Sequence, residues 1–245
     1  KTLAYIIPII QRLLFKPQNT SAACRVLILL PTRELAAQVH QVCQLFCKNS
    51  PTISSCLVVG GTSINDQLKK ISTIPDIIVG TPGRFLDLVK MYAQKSKEDD
   101  KKKNLLSNIE ILVLDEADRL IDENFTEQLT ELLSQCPSRR QTLLYSATIN
   151  ESIGELLKSC KSDFINISMS SSNEVTDKLT QKFIKIKSTS LDERENALLY
   201  TLLNEKWSTC IIFSATKHTA RKLFILLQTL DFLAYELHGN MSQQY

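Results

Sequence analysis

Residues 110–118 read EILVLDEAD, and the fold turns on that stretch. Four consecutive apolar residues, Ile111, Leu112, Val113 and Leu114, show no alternation between two faces, so they predict a strand covered on both sides. The run ends without a spacer in Asp115, Glu116, Ala117 and Asp118. The same pattern recurs along the chain. "RVLILL" (25–30), "SCLVV" (55–59), "DIIVG" (76–80), "TLLYS" (142–146), "FINIS" (164–168), "KFIKIK" (182–187), "CIIFS" (210–214) and "AYELH" (234–238) read as further strands, with helical patterns in most of the intervals. Doubly buried strands alternating with helices predict an α/β protein with a parallel sheet flanked by helices.

The chain opens with "KTLAYIIPII". Leu3, Ile6, Ile7, Ile10, Leu13 and Leu14 recur at helical spacing and predict a core-facing helix, with Pro8 early enough to be tolerated in a first turn. Its 245 residues and 43% hydrophobic content suit one large or two smaller globular domains. The formal charge of +3 is too small to argue for nucleic acid by itself. Seven scattered cysteines without a C-x-x-C pair point to a reducing compartment, and Cys43 and Cys47, one helical turn apart beside Val39, Val42 and Phe46, read as an apolar stripe. No signal peptide, long apolar run or lipidation motif is visible. Residues 93–104 (AQKSKEDDKKKN) mix both signs of charge and read as a solvated insertion. Residues 168–178 (SMSSSNEVTDK) lack apolar periodicity and read as a linker between domains at 1–167 and 179–245. The stretch after the linker is shorter than the roughly 100 residues of a complete α/β domain, so the second domain is expected to be partial.

The chemistry lies in the turn at the end of each strand. Pro31, Thr32, Arg33 and Glu34 come after the first run, Gly60 and Gly61 after the next, Thr81, Pro82, Gly83 and Arg84 after the third, Asp115 and Glu116 after the fourth, and Ser146, Ala147 and Thr148 after the fifth. Parallel strands gather all of these turns on one carboxyl edge, where open α/β sheets bind ligands. Asp115 is placed as P-loop nucleotide hydrolases place a Mg²⁺-binding aspartate, and Glu116 could polarise an attacking water. Capping of the next helix is the competing reading for the pair. Lys1 and Thr2 could end a phosphate-cradling loop of the form G-x-x-x-x-G-K-[ST], the lysine reaching phosphates and the hydroxyl completing a Mg²⁺ shell. The amides, hydroxyls and arginines of the other turns suit a phosphodiester backbone, although each turn taken alone also reads as a cap or tight bend.

In series, "PTRELA", "GG", "TPGR", "DEAD", "SAT" and, beyond the linker, "IIF" and "LHGNMSQ" resemble the motifs of the DEAD-box ATP-dependent RNA helicases of superfamily 2. The resemblance spans nearly the whole chain. It implies two RecA-like domains, the second only partial here, that clamp ATP and single-stranded or structured RNA. Carried over, Lys1 holds phosphates, Thr2 and Asp115 organise Mg²⁺, and Glu116 orients the hydrolytic water. Asp118 contacts Ser146 and Thr148, with Ala147 between them, coupling nucleotide to RNA. Pro31, Thr32, Arg33, Glu34, Gly60, Gly61, Thr81, Pro82, Gly83 and Arg84 line the RNA backbone track. Phe213 falls in the fourth motif, and His238, Gly239 and Gln243 begin the next RNA-contacting segment.

The family's phosphate-loop glycines and adenine-recognising glutamine would precede Lys1, and its arginine fingers would come after Tyr245. This polypeptide alone is therefore expected to lack ATPase activity, since an arginine finger is worth ~10³ to 10⁵ in rate. The strings "LTQKFIKIKS", "DEREN" and "ELHGNMSQ" are similar to nucleolar members acting in large ribosomal subunit assembly. That implies a nuclear monomer working on pre-ribosomal particles, with no membrane partner. The alternative from another class is a non-catalytic RNA-binding or scaffolding protein that has lost the phosphate loop. A DNA translocase is disfavoured by "DEAD" together with "SAT".

Overall fold

In the computed structural model, which describes residues 1–15, 23–96, 105–122, 125–148, 164–168, 179–186, 191–205, 207 and 209–241, the apolar runs of the first half pair side by side. They are β1 (Val26–Leu29), β2 (Ser55–Val58), β3 (Ile77–Gly80), β4 (Ile111–Asp115) and β5 (Gln141–Tyr145). All pairings are parallel and the order is β2-β3-β1-β4-β5. In register, Leu29 faces both Gly80 and Leu114, Val58 faces Gly80, and Asp115 faces Tyr145, so the five carboxyl ends form one rim. The three central strands are buried at every position, as unbroken hydrophobicity requires, whereas the edge strands β2 and β5 are only partly covered.

Helices α1 (Thr2–Leu14) and α2 (Arg33–Lys48) cover one face, packing with Val26, Ile28, Ile77, Val79, Ile111 and Val113. Helices α3 (Ile64–Ser72), α4 (Pro82–Ser96), α5 (Ala117–Asp122) and α6 (Thr126–Gln135) cover the other, where Leu27, Leu29, Ile78, Leu112 and Leu114 point. Cys43 is buried in the first of these layers. No helix among the described residues is long and apolar enough to cross a membrane.

Helix α1 buries only part of the face expected of it: Ile6, Ile10 and Leu13 are in the core as expected, Leu3, Ile7 and Leu14 are not. Tyr5, Ile6, Ile9, Ile10 and Leu13 are buried, while Leu3, Ile7 and Leu14 are about half exposed (53%, 50% and 54%). Pro8 lies in the second turn rather than the first. It removes the bond that its amide would have given to the Ala4 carbonyl, but Ala4 and Pro8 share the exposed face, where water serves that carbonyl instead. The helix runs against β4 and is fastened near both ends. Tyr5 reaches Asp115 at one, and at the other Arg12 meets Glu110, whose Oε2 accepts from Arg12 Nη2 at 3.1 Å and whose Oε1 accepts from Arg25 Nε at 2.6 Å. The Arg25 hydrogen bond foremost, helped by Arg12, holds the Glu110 carboxyl below its ordinary pKa despite partial burial.

The chain divides into units Lys1–Ile167 and Ser168–Tyr245. Four of the expected strands are corrected here. Residues 164–168, 182–186, 210–214 and 234–238 are not strands, and every strand pairing among the described residues lies in the first unit's sheet. A strand exists only through a ladder partner, and these runs have none, so Ile165, Phe183, Phe213 and Leu237 stand 88–92% exposed. The second unit holds two helices, α7 (Leu191–Asn204) and α8 (Lys217–Thr229). The charged insertion beyond residue 96 and the linker beyond Ser168 lie outside the described residues.

Candidate active site and nucleic-acid interface

The rim carries two chemistries. At β4 the strand delivers Asp115 into a nearly closed position, 6% exposed. Its Oδ1 accepts from the Glu116 amide at 3.0 Å and its Oδ2 from the Tyr5 hydroxyl at 2.9 Å. The carboxylate is thus occupied by its neighbours rather than by capping α5; the backbone carbonyl of Glu116 starts that helix by accepting from the Leu120 amide at 3.1 Å. Glu116 adopts φ 51°, a left-handed conformation that costs a residue with a Cβ about 1–3 kcal/mol and tends to occur at functional sites. The carboxylate stays near the first turn of the helix it precedes, beside Arg119. Glu116 Oε2 is buried without a hydrogen bond, with Arg119 Nη1 3.5 Å away. An acceptor left open beside a held carboxylate suits a site completed by a cation and a water.

Tyr5 was not singled out by sequence reasoning, because an aromatic one turn inside an apolar helix reads as core. It is indeed fully buried, yet its hydroxyl spans 110 residues to reach Asp115. Burial first, and then the Asp115 charge, push its pKa far above the ordinary tyrosine value, so the phenol remains a donor. Thr2 precedes Tyr5 by one turn on α1. Tyr145 packs against Tyr5 with ring centroids 5.2 Å apart, and its own pKa is raised by burial and by Asp115. Lys1 is exposed at the start of α1, where its side chain makes no capping bond and its carbonyl accepts from Ala4. The Tyr5–Asp115 bond therefore sets the start of α1, with Lys1 and Thr2 within about one turn of Tyr5, beside the end of β4 that carries Asp115 and Glu116.

Next to them, Thr148 donates its hydroxyl to Asp118 Oδ2 at 2.8 Å, and Ser146 donates to the Thr148 carbonyl at 2.6 Å. Burial opposes ionisation of Asp118, but bonds from Thr148, Ser146 and nearby backbone amides outweigh it, leaving the pKa below its ordinary value. The three polar residues form one hydrogen-bonded group, with Ala147 in the turn between two of them.

The ends of β1, β2 and β3 differ. Thr32 caps α2, its hydroxyl accepting from the Leu35 amide at 3.3 Å, and Glu34 sits in that first turn, favourably placed for the helix dipole. Pro82 occupies the first position of α4, and the buried Thr81 supplies the carbonyl that accepts from Phe85. Between them lies the glycine turn. Gly61 has φ 84°, which disfavours any side chain. The Arg33 guanidinium lies across Gly60, where an added Cβ would come within 2.8 Å of it. Arg84 donates to the Thr62 carbonyl, and the buried Gln67 donates to the Val59 carbonyl at 2.9 Å. Gln67 also went unnoticed in the sequence, since a helix glutamine carries no signal. Pro31 and Pro82 are buried and shape the backbone rather than offer side chains, while Gly83 has open space around it.

Phe213 and Gly239 belong to the second unit. Phe213 is 92% exposed before α8, and Gly239 lies in an exposed turn with nothing within 4 Å of an added Cβ. Gln243 falls outside the described residues.

The sequence profile of the DEAD/DEAH box helicase matches residues 1–156. The chain is similar to the ATP-dependent RNA helicase DRS1 of Kluyveromyces lactis, 41% identical over 248 aligned positions that cover 100% of this chain and 32% of that protein. It is also similar to the probable ATP-dependent RNA helicase DDX27 of Mus musculus, 37% identical, covering 99% and 30%. The chain thus spans about a third of the length of these curated relatives. Among solved structures, a DEAD box protein from Methanococcus jannaschii aligns with TM-score 0.57 and 28% identity, over 99% of this chain and 60% of that one. Mss116p bound to ssRNA and AMP-PNP aligns with TM-score 0.55 and 28% identity, over 65% of this chain and 32% of that one.

Proposed function

The chain belongs to the DEAD/DEAH box helicase family, and from that premise we propose that the intact protein is an ATP-dependent RNA helicase or ribonucleoprotein remodeller. Residues 1–167 serve as a RecA-like ATP-binding domain, 168–178 as a linker and 179–245 as the start of a second RecA-like domain. The observation that carries the reading is the contact between α1 and β4. Tyr5, one turn from Lys1 and Thr2, touches Asp115 and so brings both halves of a nucleotide site to one strand end.

In this reading Lys1 would pair with phosphate oxygens, and Thr2 and Asp115 would hold Mg²⁺, which would supply positive charge against the phosphate negative charge. Glu116, aimed by its left-handed backbone and with one oxygen unbonded, orients the attacking water. Asp118, joined to Thr148 and Ser146, communicates nucleotide state to the rest of the rim. Arg33, Arg84, the glycine turn and the starts of α2 and α4 track the RNA phosphodiester backbone in the first unit; in the second, Phe213 and Gly239 are read as RNA contacts. No aromatic side chain is interleaved among the first unit's RNA positions, which suits binding without base stacking.

Pre-ribosomal particles as target, a nucleolar location and a monomeric state complete the proposal; the first two rest on the second-unit strings "LTQKFIKIKS", "DEREN" and "ELHGNMSQ". The test is RNA-stimulated ATP hydrolysis by the intact protein, with single-stranded RNA competed against DNA of the same sequence. RNA stimulation that Glu116→Gln abolishes while nucleotide binding survives supports the reading. Absence of RNA-dependent turnover in the unaltered protein overturns it.

A further inference from the structure

We propose that Tyr5 is a positioning residue of the nucleotide site: its hydroxyl fixes the plane of the Asp115 carboxylate and ties the start of α1, which carries Thr2, to that strand end, setting the pair for a cation. The inference rests on the nucleotide-site reading above and adds a residue to it.

A core position in the layer that holds Val79 and Val113, against the Tyr145 ring, needs a ring, not a hydroxyl. Burying a hydroxyl costs free energy unless it is bonded, and here the bond is to a carboxylate that is itself only 6% exposed. Each partner therefore compensates the other. Asp115 has one oxygen fixed by the Glu116 amide and the second fixed by Tyr5. Two anchors on two oxygens define the carboxylate plane, so the remaining lone pairs have one direction; with the amide alone the group turns about its Cβ–Cγ bond. The donor is dependable. Tyrosine has two side-chain torsions, Tyr145 packs against its ring, and the side chain is fully buried, so the hydroxyl is held in place. Because Tyr5 stands one turn from Thr2, the bond also fixes where the start of α1 lies relative to β4. A cation that needs both Thr2 and Asp115 would gain from that alignment, whereas nucleotide contacts made by Lys1 alone would not.

The experiment measures binding of the fluorescent nucleotide mant-ADP to the intact protein with MgCl₂ or with EDTA, for the unaltered chain, Tyr5→Phe and Tyr145→Phe. The quantity read is the factor by which Mg²⁺ tightens binding. Tyr5→Phe keeps the ring and is expected to lower that factor roughly tenfold, the scale of a lost hydrogen bond to a charged group, while affinity in EDTA stays within about twofold. Tyr145→Phe keeps the factor. A Tyr5→Phe protein whose Mg²⁺ factor is unchanged overturns the inference, even if it melts at a lower temperature. So does an equal loss of affinity with and without Mg²⁺, which marks a packing role only. An unaltered protein that binds mant-ADP identically in MgCl₂ and EDTA overturns the nucleotide-site reading, and the inference falls with it.

Discussion

At the ends of β4 and β5 the rim presents carboxylates bonded to groups far away in sequence; at the ends of β1, β2 and β3 it presents glycines, caps and arginines braced by near neighbours in space. In the first half the bonds join separate elements, as Tyr5 does to Asp115 and Thr148 to Asp118. In the second half bonds from two helices gather on one turn, as those of Arg84 on α4 and Gln67 on α3 do at Thr62 and Val59. The difference is one of task. A metal-dependent nucleotide site needs fixed oxygens at one point, whereas a polynucleotide backbone needs a row of uncovered amides and positive charge.

The two halves can be separated by substitution, and the largest effect belongs to the first. Glu116→Gln is expected to lower RNA-stimulated ATP turnover about 10³-fold and to leave single-stranded RNA affinity within about twofold, read by steady-state kinetics and filter binding. Next comes the joint beneath the second half. A Cβ on Gly80 would lie 2.4 Å from the Val58 carbonyl oxygen, a backbone clash that no side chain can relieve. Gly80→Ala should cost about 2–3 kcal/mol in urea unfolding. Arg84→Ala should weaken RNA binding about tenfold with nucleotide affinity unchanged, and Arg84→Lys should restore little, because lysine lacks the planar fork that can meet both the Thr62 carbonyl and a phosphate.

Smaller effects sharpen the contrast. An added methyl at Gly83 meets nothing within 4 Å, so Gly83→Ala tests ligand access without disturbing packing. RNA affinity should fall about threefold and unfolding free energy should change by less than about 0.5 kcal/mol. The smallest concerns pH. The Asp118 carboxyl has a depressed pKa, so its bonds add stability above the ordinary carboxylate range and lose it as pH falls through the depressed value. The group is partly exposed and screened, so the contribution stays within about 0.5 kcal/mol. The melting difference between the unaltered chain and Thr148→Val should hold from pH 8 to about pH 5 and vanish on acidification below that range.

Much of this was legible in the sequence, for physical reasons that also mark the limit. Val26–Leu29, Ile77–Gly80 and Ile111–Asp115 are central strands, and unbroken apolar runs are what two covered faces demand. Their polar successors were legible because parallel strands must deliver them to one edge. The buried side of α1 was legible only in part. Leu3, Ile7 and Leu14 compete with Tyr5 and Ile9 for the same helical period, and only packing chooses between them. Tyr5 and Gln67 stayed hidden because their roles depend on partners distant in sequence or across a turn. The runs at 182–186, 210–214 and 234–238 show strand composition, but composition does not supply a ladder, and in the second unit no pairing forms among the described residues.

The most direct test of the two-part rim is hydrogen–deuterium exchange on the intact protein, with AMP-PNP plus MgCl₂ and single-stranded RNA added separately. Nucleotide should protect amides at 2–6 and 115–118, and RNA those at 60–62 and 83–85. Protection of 115–118 by RNA alone, with none at 60–62 or 83–85, would contradict the division.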